Sequence, residues 1–360
     1  MQSLPHIPEN PRKILVCQQN QIGDVLLSTP CLRLLQERFP GAELHVLTEK
    51  KCVPVLENNP RITKIWVIDR ERGMPGMLSL LWAISRERFD IAIDFQQLIR
   101  LRLAVLFSGA ALRISNKRRW YNWPFYNSYG HEGPGYAAKA KSGVLSPLGI
   151  AWNGEAPEMY LKPEELEQAR EFLASQGVPA GAPFLTIDAT HRSPTRKWPG
   201  EHYARLITML LESVPDLRLV MLYGPGEKGE VDAIVAQAGA PSRCIVPDRQ
   251  TSLRELAAII ALARGHIGNC SAPRHFAVAV GTRSLVFHGS NSPGGWTFPS
   301  AQHTYLRHEQ GEDVCLGCNR STCARGDFGC LQRLTPETAL QRAREFFFAD
   351  KDSDGTGADG

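Results

Sequence analysis

The 360-residue chain reads as an α/β protein built from two doubly wound parallel-sheet domains. Three observations predict this: short apolar runs alternate with amphipathic helical stretches, the alternation is interrupted once and then resumes, and the length suits two domains that each bury a core.

The first series opens with Lys13 to Cys17 (KILVC), an apolar run that ends in the polar turn QQNQIGD. Val25 to Phe39 follows, with Leu26, Leu27, Leu32, Leu34 and Leu35 on one helical face. ELHVLT leads to KKCVPVLENNP, KIWVID to MLSLLWAISRER, DIAIDF to LIRLRLAVLFSGA, and LRIS closes the series. A weakly patterned basic and aromatic stretch, 116–147, interrupts it. PEELEQAREFLAS (163–175) reads as a helix stopped by Gly177 and Pro179. The second series pairs PFLTIDA with EHYARLITMLLESV, LRLVMLY with EVDAIVAQAG, RCIVP with SLRELAAIIALA and GHIGN with APRHFAVAVG, and ends on SLVFHG. The expected domains are 1–175 and 176–349, with 350–360 a polar, glycine-rich disordered tail.

Composition narrows the class. At 43% hydrophobic and 22% charged, with no apolar run near the ~20 residues of a membrane span and no apolar signal core in the first residues, a cytoplasmic globular protein is expected. Of nine cysteines, Cys17, Cys31, Cys52, Cys244 and Cys270 are scattered through strand-like or helical segments, as reduced buried thiols are. Residues 1–150 carry 20 Lys+Arg against 12 Asp+Glu, a balance of +8, and the remainder 21 against 25, or −4. The basic half suits a phosphorylated glycolipid, a membrane surface or nucleic acid, or is simply a solvated face.

Several segments could carry chemistry. Asp24 stands after the first strand and at the start of the first helix, where an open parallel sheet binds ligands; an Asp there also serves as a helix cap. HRSPTRKWP (191–199) sets Arg192, Arg196 and Lys197 beside the hydroxyls of Thr190, Ser193 and Thr195, which suits a pyrophosphate or a solvated basic loop. GPGEKG (224–229) matches G-x-G-x-x-G and opens the alternative of an NAD-dependent oxidoreductase. Against it, Pro225 lacks an N–H and Glu227 is anionic, so Glu227 fits ribose hydroxyls better. Ser271 and His275 sit at the start of an alanine-rich helix after GHIGN, placed to meet a phosphate or to pack. Cys315, Cys318, Cys323 and Cys330 form C-x2-C-x4-C-x6-C, a ligand set for a structural Zn²⁺ or iron–sulfur cluster, with disulfides or free thiols as the other readings. A non-catalytic metal or redox protein built round them is a third class. WYNWPFYNSY (120–129) after Lys117, Arg118 and Arg119 combines cations with amphipathic aromatics, as membrane interfaces and sugar sites do. Asp352-Ser353-Asp354 has a metal-binding D-x-D spacing, but in the tail.

Over about residues 13–345 the chain resembles glycosyltransferase family 9, the ADP-heptose:lipopolysaccharide heptosyltransferases. The segments that carry the resemblance are KILVCQQNQIGDVLLSTPCLRLLQERFPGAELHVLTE with its G-D-V loop, DIAIDFQ, RKWPGEHYARL, GNCSAPRHFAVAVGTRSLVFHGSNSP, and the Cys cluster before LTPETAL. The resemblance implies a GT-B fold, two Rossmann-like domains facing across a cleft, with acceptor on the first half and nucleotide sugar on the second. It implies inverting, metal-independent transfer of a sugar, heptose from ADP-heptose, onto a lipopolysaccharide core or related glycan. The implied partners are an anionic glycolipid and the inner-membrane surface, with no nucleic acid. Asp24 would be the catalytic base; Thr190, Arg196, Ser271 and His275 would hold the departing phosphates, and Glu227 the ribose. Arg196 stands where the family has Lys. Cys270, Ala272 and Arg274 replace the family's Asp, Gly and a small or apolar residue, which leaves a different donor sugar as an alternative.

Overall fold

The computed structural model describes residues 7–239, 242–308, 315 and 317–349. The expected tail and its D-x-D triplet lie outside them. Along the chain run β1 (Lys13–Cys17), α1 (Ile22–Leu26), α2 (Thr29–Arg38), β2 (Glu43–Glu49), β3 (Ile62–Ile68), α3 (Gly73–Glu87), β4 (Ile91–Asp94), α4 (Ile99–Phe107), β5 (Leu112–Ser115), β6 (Ser128–Tyr129) and α5 (Ala137–Ser142). Then come α6 (Pro163–Ser175), β7 (Phe184–Asp188), α7 (Gly200–Ser213), β8 (Arg218–Leu222), α8 (Lys228–Ala238), β9 (Cys244–Ile245), α9 (Leu253–Leu262), β10 (Gly265–Asn269) and α10 (Ala272–Ala279). The chain ends with β11 (Ser284–Phe287), α11 (Pro293–Trp296), β12 (His303–Leu306), α12 (Gly329–Gln332) and α13 (Pro336–Phe347).

Two all-parallel six-stranded sheets result, ordered β3-β2-β1-β4-β5-β6 and β12-β11-β10-β7-β8-β9. The first compact unit runs to Pro163 and takes in Val278–Val280 and Gly294–Pro299; the second begins at Glu164 and holds the rest. In each sheet the order in which strands are added reverses beside the first strand, at β1/β4 and at β7/β10. In a doubly wound sheet that switch point, at the carboxyl ends of the strands, opens the ligand crevice. The loops after Cys17, Asp94, Asp188 and Asn269 are therefore the ones placed for chemistry.

After Lys13, the run ILVC of β1 is apolar and fully buried because both faces of the sheet are covered. Leu15, Cys17 and Ala92 pack with Met77, Leu81 and Ile84 of α3 and Leu101, Ala104 and Val105 of α4 in one core. In the second sheet Leu185, Ile187, Leu219, Met221, Ile267 and Phe287 fill a core with Trp198, α7 and α13. Its other face carries a buried polar row. Thr186, His266, Ser284 and His303 are register neighbours across β7, β10, β11 and β12. Thr186 Oγ1 lies 3.1 Å from His266 Nδ1, and Ser284 Oγ 2.9 Å from His303 Nδ1.

The structure departs from the sequence pattern in three places. The stretch from Val25 to Phe39 is not one helix: it stops at Leu26 and restarts with Pro30 in the first turn of α2, where proline's missing N–H costs nothing. Lys50–Val55 winds as a 3₁₀ turn with Pro54 inside it. The weakly patterned stretch holds β6 and α5, and two glycines let it pack. A Cβ on Gly143 would sit 2.0 Å from the His131 carbonyl oxygen, and one on Gly130 2.2 Å from that of Val144.

Candidate active site

In the first unit the loop from β1 to α1 is fastened from the neighbouring strand. The Gln96 side-chain carbonyl, just past β4, accepts the backbone N–H groups of Gln19 at 3.0 Å and Asn20 at 3.1 Å. Asp94, fully buried at the end of β4, accepts the Gln96 and Gln97 N–H groups and the Tyr126 hydroxyl at 2.5 Å. Burial pushes its carboxyl up to about 6, against the pull of those hydrogen bonds. Asp94 therefore serves to hold Gln96, which holds the loop.

Asp24 lies in the first turn of α1. It does not cap the helix: Gln21 is the N-cap residue and makes no side-chain cap. Its carboxylate is 37% exposed and stands 3.4 Å from the Lys141 ammonium, itself only 12% exposed. Lys141 Nζ also donates to Gln18 Oε1 at 3.3 Å. No sequence signal marks Lys141, because it sits in the unpatterned stretch and reaches Asp24 through the close packing of Gly130 and Gly143 that pins α5.

In the second unit, Thr190, Glu227 and Ser271 gather around Asp188 at the ends of β7, β8 and β10. Thr190 Oγ1 donates to Glu227 Oε2 at 2.7 Å, and the same oxygen accepts the Gly224 N–H at 2.8 Å. Ser271 Oγ donates to Asp188 Oδ2. Burial pushes the Asp188 carboxyl up to about 7, with Ser271 pulling down and the Glu227 charge pushing further up. Asp188 is a site residue the sequence reading missed; an acid closing the apolar strand PFLTID is the signal that could have found it. Asn269 organises the loops, its Oδ1 accepting the Trp198 N–H at 2.9 Å and its Nδ2 donating to the Thr190 carbonyl at 3.2 Å. His191 Nε2 lies 3.2 Å from the Cys270 carbonyl.

Glu227 bears directly on the oxidoreductase alternative. Its carboxylate folds back over Gly224 N–H, at the place where a dinucleotide loop presents bare N–H groups to pyrophosphate. The GPGEKG loop is thus closed by its own anion.

His275 is buried in α10, and burial with the Arg274 charge beside it drives its imidazole down to about 3. It is neutral near pH 7. Arg274 is itself fully buried; Nη1 donates to Cys270 Sγ at 3.3 Å, while Nε and Nη2 have no hydrogen-bond partner among the described residues. Arg196 donates to Asn319 Oδ1 at 3.2 Å, and its charge acts on His191 beside the Asp188 group. The four clustered cysteines line one cavity of ≈ 350 Å³ with Thr195, Ser290 and Phe328. Burial and then the charges of the other three thiols push Cys330 up to about 11. Among the described residues no three His, Cys, Asp or Glu side chains form a group that could hold a metal ion, so as folded here the thiols share a cavity and not a coordination sphere.

Comparison with known proteins agrees with this layout. The profile of glycosyltransferase family 9 (heptosyltransferase) matches residues 77–324. A lipopolysaccharide heptosyltransferase 3 of Escherichia coli is 24% identical over 285 residues, 76% of this chain and 82% of the relative. A family 9 glycosyltransferase from Veillonella parvula superposes with a TM-score of 0.82 at 22% identity, covering 93% of this chain and 97% of that one. The E. coli heptosyltransferase WaaC, solved with ADP-2-deoxy-2-fluoro heptose, gives 0.69 at 18% identity over 92% and 99% of the two chains. These likenesses give the fold as GT-B, and the family match replaces the oxidoreductase and metal-protein alternatives. The chain belongs to glycosyltransferase family 9 and is an enzyme that transfers a sugar from a nucleotide sugar.

Proposed function

We propose that the chain transfers heptose from ADP-heptose to a lipopolysaccharide core or related glycolipid, with inversion at the anomeric carbon and without a catalytic metal. The observation that carries the reading is Asp24: a carboxylate at the sheet's switch point, open enough to meet a substrate, not spent on capping its helix, and held beside Lys141. Asp24 takes the proton of the acceptor hydroxyl as that oxygen bonds to the anomeric carbon, and the bond from that carbon to the diphosphate breaks on the opposite face. ADP leaves with the electron pair. Its growing charge meets the N–H groups at the start of α10, the Thr190 and Ser271 hydroxyls as they turn from Glu227 and Asp188, the Arg196 guanidinium, and a neutral His275 ring that acts as a hydrogen-bond donor. Glu227, held by Thr190 and Gly224, orients the ribose. The relatives support the donor and acceptor: one is a lipopolysaccharide heptosyltransferase, and another was solved with an ADP-heptose analogue.

Asp24→Asn tests this. It should lower kcat by ~10²–10⁴, the usual range for a positioned base, while calorimetry shows ADP affinity unchanged. A wild-type rate removes Asp24 from the reaction, and lost ADP affinity assigns it to binding.

A different donor sugar is the second reading, favoured by Arg274 and its contact with Cys270. The nucleotide sugar that most raises the melting temperature decides it, since ligand at 100 times Kd stabilises by about 2.7 kcal/mol. We read the cysteine cavity as a staple whose four thiols would close on Zn²⁺ or an iron–sulfur cluster, supported by their common lining of it.

A further inference from the structure

Among the described residues, twelve large apolar side chains are exposed, and ten of them fall between Val67 and Trp123. They are not scattered. On α3, Met77, Leu81 and Ile84 face the core, yet Met74, Leu78 and Trp82, one helical turn apart, form a second apolar stripe that is 60–69% exposed. On α4, Leu101, Ala104 and Val105 are buried while Ile99, Leu106 and Phe107 are exposed. Both helices pack into the same core on the same sheet face, so their outward stripes lie on one side of the unit. Arg102 of α4 lies over the Tyr121 ring at 5.1 Å, which ties in the turn bearing Trp120 (86% exposed) and Trp123 (76% exposed). Soluble proteins rarely leave such a patch bare.

Cations border it. Arg86, Arg88, Arg100, Lys117, Arg118 and Arg119 have no carboxylate within salt-bridge distance among the described residues. Arg86 lies over Trp82 at 4.9 Å. The lone acid on α3, Glu87, is neutralised by Lys13 and Lys64. Apolar stripes, indole rings and guanidinium groups without a carboxylate partner together are the chemistry of a helix face that sits in the headgroup layer of an anionic bilayer. A second copy of the chain fits poorly, because a two-fold contact would set this arginine-rich patch against itself.

We propose that the α3–α4 face of the first unit, with the Trp120–Trp123 turn, docks on an anionic phospholipid surface. This deepens the proposed function, in which the acceptor is a membrane glycolipid, but it needs no acceptor to be tested. Purified full-length protein is sedimented with vesicles of phosphatidylcholine alone or with about 30% phosphatidylglycerol, at about 0.1 M and about 0.5 M salt. Binding should require the anionic lipid and fall with salt, and vesicles should blue-shift the tryptophan fluorescence. Leu78→Ser with Trp82→Ser, and separately Arg118→Glu with Arg119→Glu, should each lower the partition coefficient by about tenfold or more. ADP affinity and near-ultraviolet circular dichroism should stay at wild-type values, which shows that the variants fold. Failure of the wild-type protein to bind anionic vesicles overturns the proposal, as does unchanged binding by both folded variants. A wild-type dimer in sedimentation equilibrium that Leu78→Ser with Trp82→Ser converts to monomer overturns it in favour of self-association. Each of those results leaves the transfer reaction standing, whereas lost ADP binding in the wild type would count against the reaction and not against docking.

Discussion

Acidification should unfold the second unit through its buried histidines. Burial, with the Arg274 charge, drives His266, His275 and His288 down to about 3 and His303 to about 4. All four are neutral in the fold, and unfolding returns them to the ordinary value near 6.5. The stability is therefore intact above that pH and is lost as pH falls from it toward 3–4, because the unfolded chain binds protons that the folded chain refuses. Between pH 7 and pH 5 each histidine costs about 2 kcal/mol. Asp188 works the other way: its carboxyl, pushed up to about 7, is increasingly protonated in the fold while the unfolded chain stays ionised. It returns about 2 kcal/mol, which leaves a net loss of about 5 kcal/mol. That is comparable with the whole stability of a domain, and a shift of roughly 2 M in the urea midpoint. Trp198 is the only tryptophan of the second unit, so its fluorine resonance in protein made with 5-fluorotryptophan follows that unit alone. His303→Gln should remove about 2 of those roughly 5 kcal/mol of pH dependence, whatever it costs in packing. Equal urea midpoints at pH 7 and pH 5 would refute the argument.

Three other outcomes follow from particular contacts. Lys141→Met should lower kcat/KM through loss of the cation that holds Asp24, and Lys141→Arg should restore part of it; steady-state kinetics with an unchanged rate for Lys141→Met would exclude that role. Gly265→Ala would put a Cβ 2.2 Å from the Phe347 ring of α13, so thermal melting should show a loss of about 1–3 kcal/mol, as overpacked cores do. In mass-spectrometric alkylation at neutral pH, Cys323, whose thiol is held low by the Phe328 backbone N–H, should label ahead of Cys17, Cys31, Cys52 and Cys244, whose thiols burial raises. Added Zn²⁺ should protect the four clustered cysteines alone; equal labelling with and without Zn²⁺ would remove the metal staple.

What the sequence determined by itself was the fold, because that rests on short-range pattern. The run ILVC of β1 is apolar on both faces since helices cover both, and the helical period of SLRELAAIIAL marks α9, which the structure starts with a capping box from Ser252 to Glu255. Loops at strand ends were legible for the same reason: Asp24, Thr190, Glu227 and Ser271 are each a few residues past an apolar run. Tertiary structure alone decided what those residues touch. Lys141 is distant in sequence from Asp24 and reaches it only because two glycines let α5 close in. Asp188 looks like the end of a strand until Ser271, 83 residues on, donates to it. The polar row from Thr186 to His303 reads as four unrelated residues, and becomes one buried feature only when four parallel strands come into register. Sequence patterns record which residues leave water. Charge partners, proton affinities and an outward apolar stripe such as Met74–Trp82 depend on which distant segments share the space, and folding alone fixes that.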